Sequence, residues 1–94
     1  MNKQEAKAIA SKSLESYRNR KYDELVKLIK EAPIIFQVRG ESDVLYNLEI
    51  QVFWDDKAQG NIRVTCAIDD GGWRAYFPMS DSFIKSPNND FVGE

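Results

Sequence analysis

IRVTCAIDDGGWRAYF, residues 62–77, decides how this chain is read. Apolar and polar side chains alternate on both sides of Asp-Asp-Gly-Gly, the pattern of two strands joined by a tight turn. With Asp70-Gly71 at the centre of a type I′ turn, Ile68 pairs with Trp73, Cys66 with Ala75 and Val64 with Phe77. Centring the turn on Gly71-Gly72 instead moves each partner along the strand but leaves every side chain on the same face. Ile62, Val64, Cys66, Ile68, Trp73, Ala75 and Phe77 therefore share one face. Arg63, Thr65, Ala67, Arg74 and Tyr76 share the other.

The same parity extends towards the N-terminus. Val44, Tyr46, Leu48, Ile50, Val52 and Trp54 alternate with Asn47, Glu49 and Gln51, giving a half-buried strand over 44–54 that is longer than the usual ~5–6 residues. Residues 55–60 form a loop, and Trp54 opposite Ile62 sets Val52 against Val64 and Ile50 against Cys66. Ile34, Phe36 and Val38 form a strand before the turn cluster Gly40-Glu41-Ser42-Asp43. Val38 opposite Val44 sets Phe36 against Tyr46 and Ile34 against Leu48. All three connections agree on one apolar face, which implies a four-stranded antiparallel meander covered on one side. Each large apolar side chain buried there contributes about 1.5–3 kcal/mol.

Before Pro33 the period is helical. Ala6, Ile9, Ser13/Leu14 and Tyr17 make one stripe, and Tyr22, Leu25, Val26 and Ile29 another, divided by Arg18-Asn19-Arg20-Lys21. Asn2 is placed to cap the first helix with Glu5 as its capping-box partner, and Pro33 ends the second. The expected fold is α+β: an N-terminal helix or helix pair packed on one face of the meander. It forms a single domain over 1–94, helical over 3–31, sheet over 34–78, with a C-terminal tail over 79–94.

Composition narrows the function classes. The chain has 94 residues, 43% hydrophobic and 30% charged, with a net charge of −2. That suits one small folded domain and argues against a nucleic-acid partner, which calls for a basic face. No apolar run approaches the ~18 residues of a membrane span, and the N-terminus lacks the apolar core of a signal peptide, so a soluble, cytoplasmic protein without a membrane partner is expected. The one cysteine, Cys66, alternates with core residues and reads as a small core filler. The absence of histidine removes the commonest general base and transition-metal ligand. Asp55-Asp56 and Asp69-Asp70 fall at opposite ends of one strand, ~25 Å apart, and read as turn residues. No catalytic residue, metal site or cofactor is expected.

The face opposite the core carries Leu45, Asn47, Glu49, Gln51, Phe53, Arg63, Thr65, Ala67, Arg74 and Tyr76. Glu49, Arg63, Arg74 and Tyr76 are the candidate binding residues, because Tyr and Arg dominate interface hot spots. Burial of that face by Phe83, Ile84, Phe91 and Val92 of the tail would remove it as a surface. Tyr17, Tyr22, Trp54 and Trp73 are the candidate rim of a pocket between helices and sheet.

Helices followed by a curled antiparallel meander resemble the cystatin-like and NTF2-like α+β shape. DELVKLI (23–29) looks like the second-helix region of such proteins. EIQVFWDD (49–56) and IDDGGWRAYFP (68–78) are similar to a family of small, mostly bacterial proteins of unknown function, over roughly residues 44 to 94. The resemblance brings no catalytic residues. NTF2-like enzymes place Asp, His or Tyr inside a cone-shaped pocket. The corresponding positions here are Tyr46, Leu48, Ile50, Val52, Val64, Cys66, Ala75 and Phe77, of which only Tyr46 carries a polar group. The expected function is a non-enzymatic protein-binding module, with a toxin-neutralising, immunity-type protein as one form of it. The alternative is an NTF2-like pocket protein holding an apolar ligand. The expected partner is another protein, or a second copy forming a homodimer across a sheet edge.

Overall fold

A computed structural model describes residues 2–72 and 78–94. Helices α1 (Lys3–Arg18) and α2 (Tyr22–Leu28) precede strands β1 (Ile34–Arg39), β2 (Leu45–Trp54), β3 (Ile62–Asp69) and β4 (Met79–Lys85). The strands form one antiparallel sheet in the order β1-β2-β3-β4. The fold is thus α+β, two helices packed against a four-stranded meander, as the alternation implies.

Local chemistry accounts for the helices. The Asn2 side chain accepts the Glu5 backbone N–H at 3.0 Å, capping α1. Only half of the expected capping box forms, because the Glu5 carboxylate is drawn elsewhere. Ala6, Ala10, Leu14 and Tyr17 make the buried stripe of α1, and its alanines let the helix lie close to the sheet. α1 packs over β3 and β4. Tyr22 and Leu25 bury the inner face of α2. The core joins these side chains to Tyr46, Leu48, Ile50, Ile62, Val64, Cys66, Ile68 and Phe83.

Strand pairing departs from the expectation twice. β2 and β3 pair as read, with Trp54 opposite Ile62 and Val52 opposite Val64. Between β1 and β2 the register is displaced by two residues: Val38 faces Tyr46, Phe36 faces Leu48 and Ile34 faces Ile50. The cause is the turn. Gly40 N–H donates to the Val44 carbonyl at 2.8 Å, closing a short loop whose last residue, Asp43, takes a left-handed conformation (φ 67°). Parity is preserved, so the face assignment is unaffected.

The second departure is larger. β3 is flanked by β2 on one side and by Met79–Lys85 on the other, with Ile68 opposite Met79, Cys66 opposite Asp81 and Val64 opposite Phe83. The expected pairings of β3 with Trp73, Ala75 and Phe77 are therefore overturned, and the sheet runs on to Lys85 instead of ending at 78. Residues 73–77, assigned from sequence as the fourth strand, lie outside the described residues. The pairing observed buries Phe83 and sets Lys85 beneath the end of α1. There the Lys85 ammonium donates to the carbonyls of Arg18 (2.8 Å) and Arg20 (2.6 Å), satisfying acceptors that the helix end leaves open.

Candidate functional site

The outer face of the sheet is the surface that the helices leave uncovered. Across β1, β2 and β3 one polar ladder spans it: Gln37 donates to Asn47 at 2.9 Å and Asn47 to Asp69 at 3.2 Å. Asp69 also accepts the Gly71 N–H at 2.8 Å, the turn-stabilising bond expected of an aspartate there. Next to the ladder Glu49 lies between Ile35 and Ala67. Its carboxylate meets the Gln51 amide at 3.4 Å. Further along, Phe53 pairs with Arg63, which pairs with Ile84. Arg63 is held in place, donating from Nε to Asp55 at 2.8 Å and from Nη1 to Ser82 at 3.2 Å. Asp55 is thereby engaged as an ion-pair partner.

Glu49 and Arg63 are thus brought onto one face, in separate rows of it. Arg74 and Tyr76 lie outside the described residues, as does Trp73. Exposed apolar side chains accompany the pair: Leu45 is 39% exposed, Phe53 38% and Ile35 74%. Ile35 was not singled out from sequence; its parity with Gln37 and Arg39 on the outer face was the available signal.

The C-terminal segment does not cover this face. Phe83 points into the core, and the chain turns back at 86–90 so that Val92 N–H donates to the Ile84 carbonyl at 2.9 Å. Phe91 packs edge-on against Phe83 and lies 4.3 Å beneath the Arg18 guanidinium, on the helical side. Arg18 also pairs with Glu94.

Of the aromatic residues expected at a pocket rim, the three that are described, Tyr17, Tyr22 and Trp54, pack on the core. Tyr17 and Tyr22 belong to the core, and the Tyr22 hydroxyl donates to the Gly60 carbonyl at 2.8 Å. Trp54 packs partly buried against the same core. Two open hollows are lined by other residues. One of about 330 Å³ lies between the α2–β1 connection and residues 50–53. The other, about 770 Å³, lies between α1 and β1, with Ala8, Ile9 and Val38 as apolar lining and Lys12 and Arg39 beside them.

Titratable groups define what chemistry is at hand. Burial pushes the Cys66 thiol up to about 11, so it is protonated and unreactive near neutral pH. Hydrogen bonds from Ser42 and Tyr46 hold the Glu5 carboxyl below its usual range. Burial raises the Tyr46 phenol, assisted by its bond to Glu5. Burial also lowers the Lys85 ammonium, as does neighbouring Arg18. Among the described residues no cluster of three or more acidic, cysteine or histidine side chains is arranged to hold a metal ion. No helix among the described residues is long and apolar enough to cross a membrane. The outer face thus offers a guanidinium held by Asp55 and Ser82, a weakly engaged carboxylate at Glu49 and exposed apolar groups. No protein-family model, no curated protein and no solved structure matches the chain.

Proposed function

We propose that this chain is a non-enzymatic protein-binding module that contacts its partner with the outer sheet face around Glu49 and Arg63. The observation that carries this reading is the path of the C-terminal segment: it turns to the helical side and leaves Leu45, Phe53 and Ile35 exposed beside an ordered arginine. Exposed apolar groups around a fixed guanidinium are the composition of interface hot spots. Inhibition of a toxin, the immunity-type role, is one form of this activity. The helix-over-meander order also fits a kinship in shape with cystatin-like and NTF2-like proteins.

Site-specific photo-crosslinking in cells that make the protein tests the reading. A crosslinker at Gln51, on the outer face, is expected to capture one discrete partner that a crosslinker at Lys7, on the helical side, does not. Phe53→Asp or Arg63→Glu should reduce that capture about tenfold or more, the loss of a hot spot worth at least ~1.4 kcal/mol. Equal capture from both positions, or capture indifferent to both substitutions, rules the outer face out.

The hollow between α1 and β1 favours a second reading, an apolar small-molecule ligand, since its volume suits such a site. Native mass spectrometry of the purified chain would show a bound mass that Ile9→Trp, by filling the hollow, displaces.

A further inference from the structure

The two edges of the sheet are finished differently. Gly40 and Val44 form a hydrogen-bonded pair, and such pairs alternate along an antiparallel ladder. The pairs Val38–Tyr46, Phe36–Leu48 and Ile34–Ile50 are then the bonded ones, so the backbone groups of Ile35, Gln37 and Arg39 point away from β2. Among the described residues nothing bonds to them. On the opposite edge the same phase turns Ser80, Ser82 and Ile84 outward, and the last two are engaged. The Ile84 carbonyl accepts from Val92, and Ser82 N–H is taken by the Asp81 carboxylate at 2.9 Å. Among the described residues β4 is thus a partly closed edge and β1 an open one. β1 is also the apolar edge, IIFQVR, with Ile35 the most exposed large apolar side chain among the described residues.

We propose that β1 pairs antiparallel with β1 of a second copy, so that one sheet runs through both molecules. The strand is self-complementary in face and in bonding phase. With the two-fold axis at Gln37, Ile35 lies opposite the partner's Arg39 and Phe36 opposite the partner's Val38. Every outward N–H and carbonyl of Ile35, Gln37 and Arg39 then meets its counterpart. Centring the axis on Phe36 instead sets Arg39 against the partner's Pro33, which has no N–H to give, so the Gln37 register is favoured.

Charge agrees with this arrangement. Glu49 is the neighbour of Ile35 in its row and, among the described residues, has no cation in contact with it. Arg39 spends its guanidinium on a solvent-exposed pair with Asp43, which is worth little. In the dimer the partner's Arg39 lies across Ile35 from Glu49, with about 10 Å between Cα atoms, as two adjacent strand spacings dictate. Extended arginine and glutamate side chains span that distance, and the arginine stem covers the Ile35 side chain. The two-fold axis makes the contact twice. This proposal uses the edge of the sheet and shares Ile35 and Glu49 with the outer-face reading, but it does not involve Phe53 or Arg63, whose substitutions test that reading.

Sedimentation equilibrium of the full chain is the test. The wild type is expected at twice its 10.8 kDa mass, with a dissociation constant on the order of 10 μM. Ile35→Lys places a charge on the edge, and Gln37→Pro removes an outward N–H together with the exposed side-chain bond to Asn47. Each should weaken association about tenfold or more while leaving circular dichroism unchanged. Gln37→Cys reads the register: in a bonded pair its two Cα atoms stand ~5.5 Å apart, within disulfide range. Buried Cys66 does not compete. Mild oxidation should link Gln37→Cys into dimers much faster than Gln51→Cys. The proposal is overturned if the wild type is monomeric at ~1 mM, including the case where a foreign strand occupies the edge instead. A dimer that survives both edge substitutions, or equal linking rates for the two cysteine variants, overturns it as well.

Discussion

Glu5 holds more of the molecule together than its place on the first turn of α1 requires. Its carboxylate accepts the Ser42 N–H at 3.0 Å, the Ser42 hydroxyl and the Tyr46 hydroxyl at 2.8 Å. One side chain thus pins the helix start to the β1–β2 turn and satisfies the single polar atom of a wholly buried tyrosine. It also explains Gly40, where any Cβ would run into that carboxylate. Because these bonds favour the ionised form, the folded-state pKa lies below the unfolded value of about 4.3. The resulting stability is present above pH ~4.3 and is lost as pH falls through the depressed folded value. Glu5→Gln should lower stability at pH 7 and flatten the acid limb of the stability curve. Urea midpoints measured between pH 3 and 7 check this, and a curve parallel to the wild type would contradict it. Capping by Asn2 was legible in the sequence. The use of Glu5 was not, since Ser42 and Tyr46 are far along the chain.

Among the elements, β4 shows how a strand can hide. Its inward positions are Met79, Asp81, Phe83 and Lys85, two of them charged, so no apolar alternation marks it. The residues just before it, WRAYF, alternate far better, and Asp-Gly offers a stronger turn signal. Lys85 becomes an inward residue only because α1 ends above it and presents the Arg18 and Arg20 carbonyls. Phe91, with its ring 4.7 Å from the ammonium, closes the space. Lys85→Met keeps the stem and deletes the donor, leaving two carbonyls short of a partner. It should cost about 1–3 kcal/mol, read as a lower urea midpoint with an unchanged slope. A loss below ~0.5 kcal/mol would mean that water replaces the ammonium at that helix end.

For the molecule as a whole, the two ends of α1 are fastened to different places, one to the β1–β2 turn through Glu5 and the other to β4 through Lys85. The helix therefore crosses the sheet obliquely, lies on β3 and β4, and leaves the β1 side open as the hollow beside Ile9 and Val38. The close approach depends on Ala6 and Ala10, both fully buried. Ala10→Leu forces the helix off the sheet and should cost about 1–3 kcal/mol through overpacking, visible as a lowered thermal midpoint; a neutral result would show that α1 can slide towards β1. The sequence by itself determined which side chains face inward along β1, β2 and β3, because alternation follows from the local geometry of an extended chain. It determined the β2–β3 register too, since both strands are long and strictly alternating. Only the tertiary structure decided which segment lies beside β3, where Glu5 and Lys85 spend their charges, and which edge of the sheet stays open. Those outcomes depend on groups distant in the chain meeting in space, and no local period encodes such meetings.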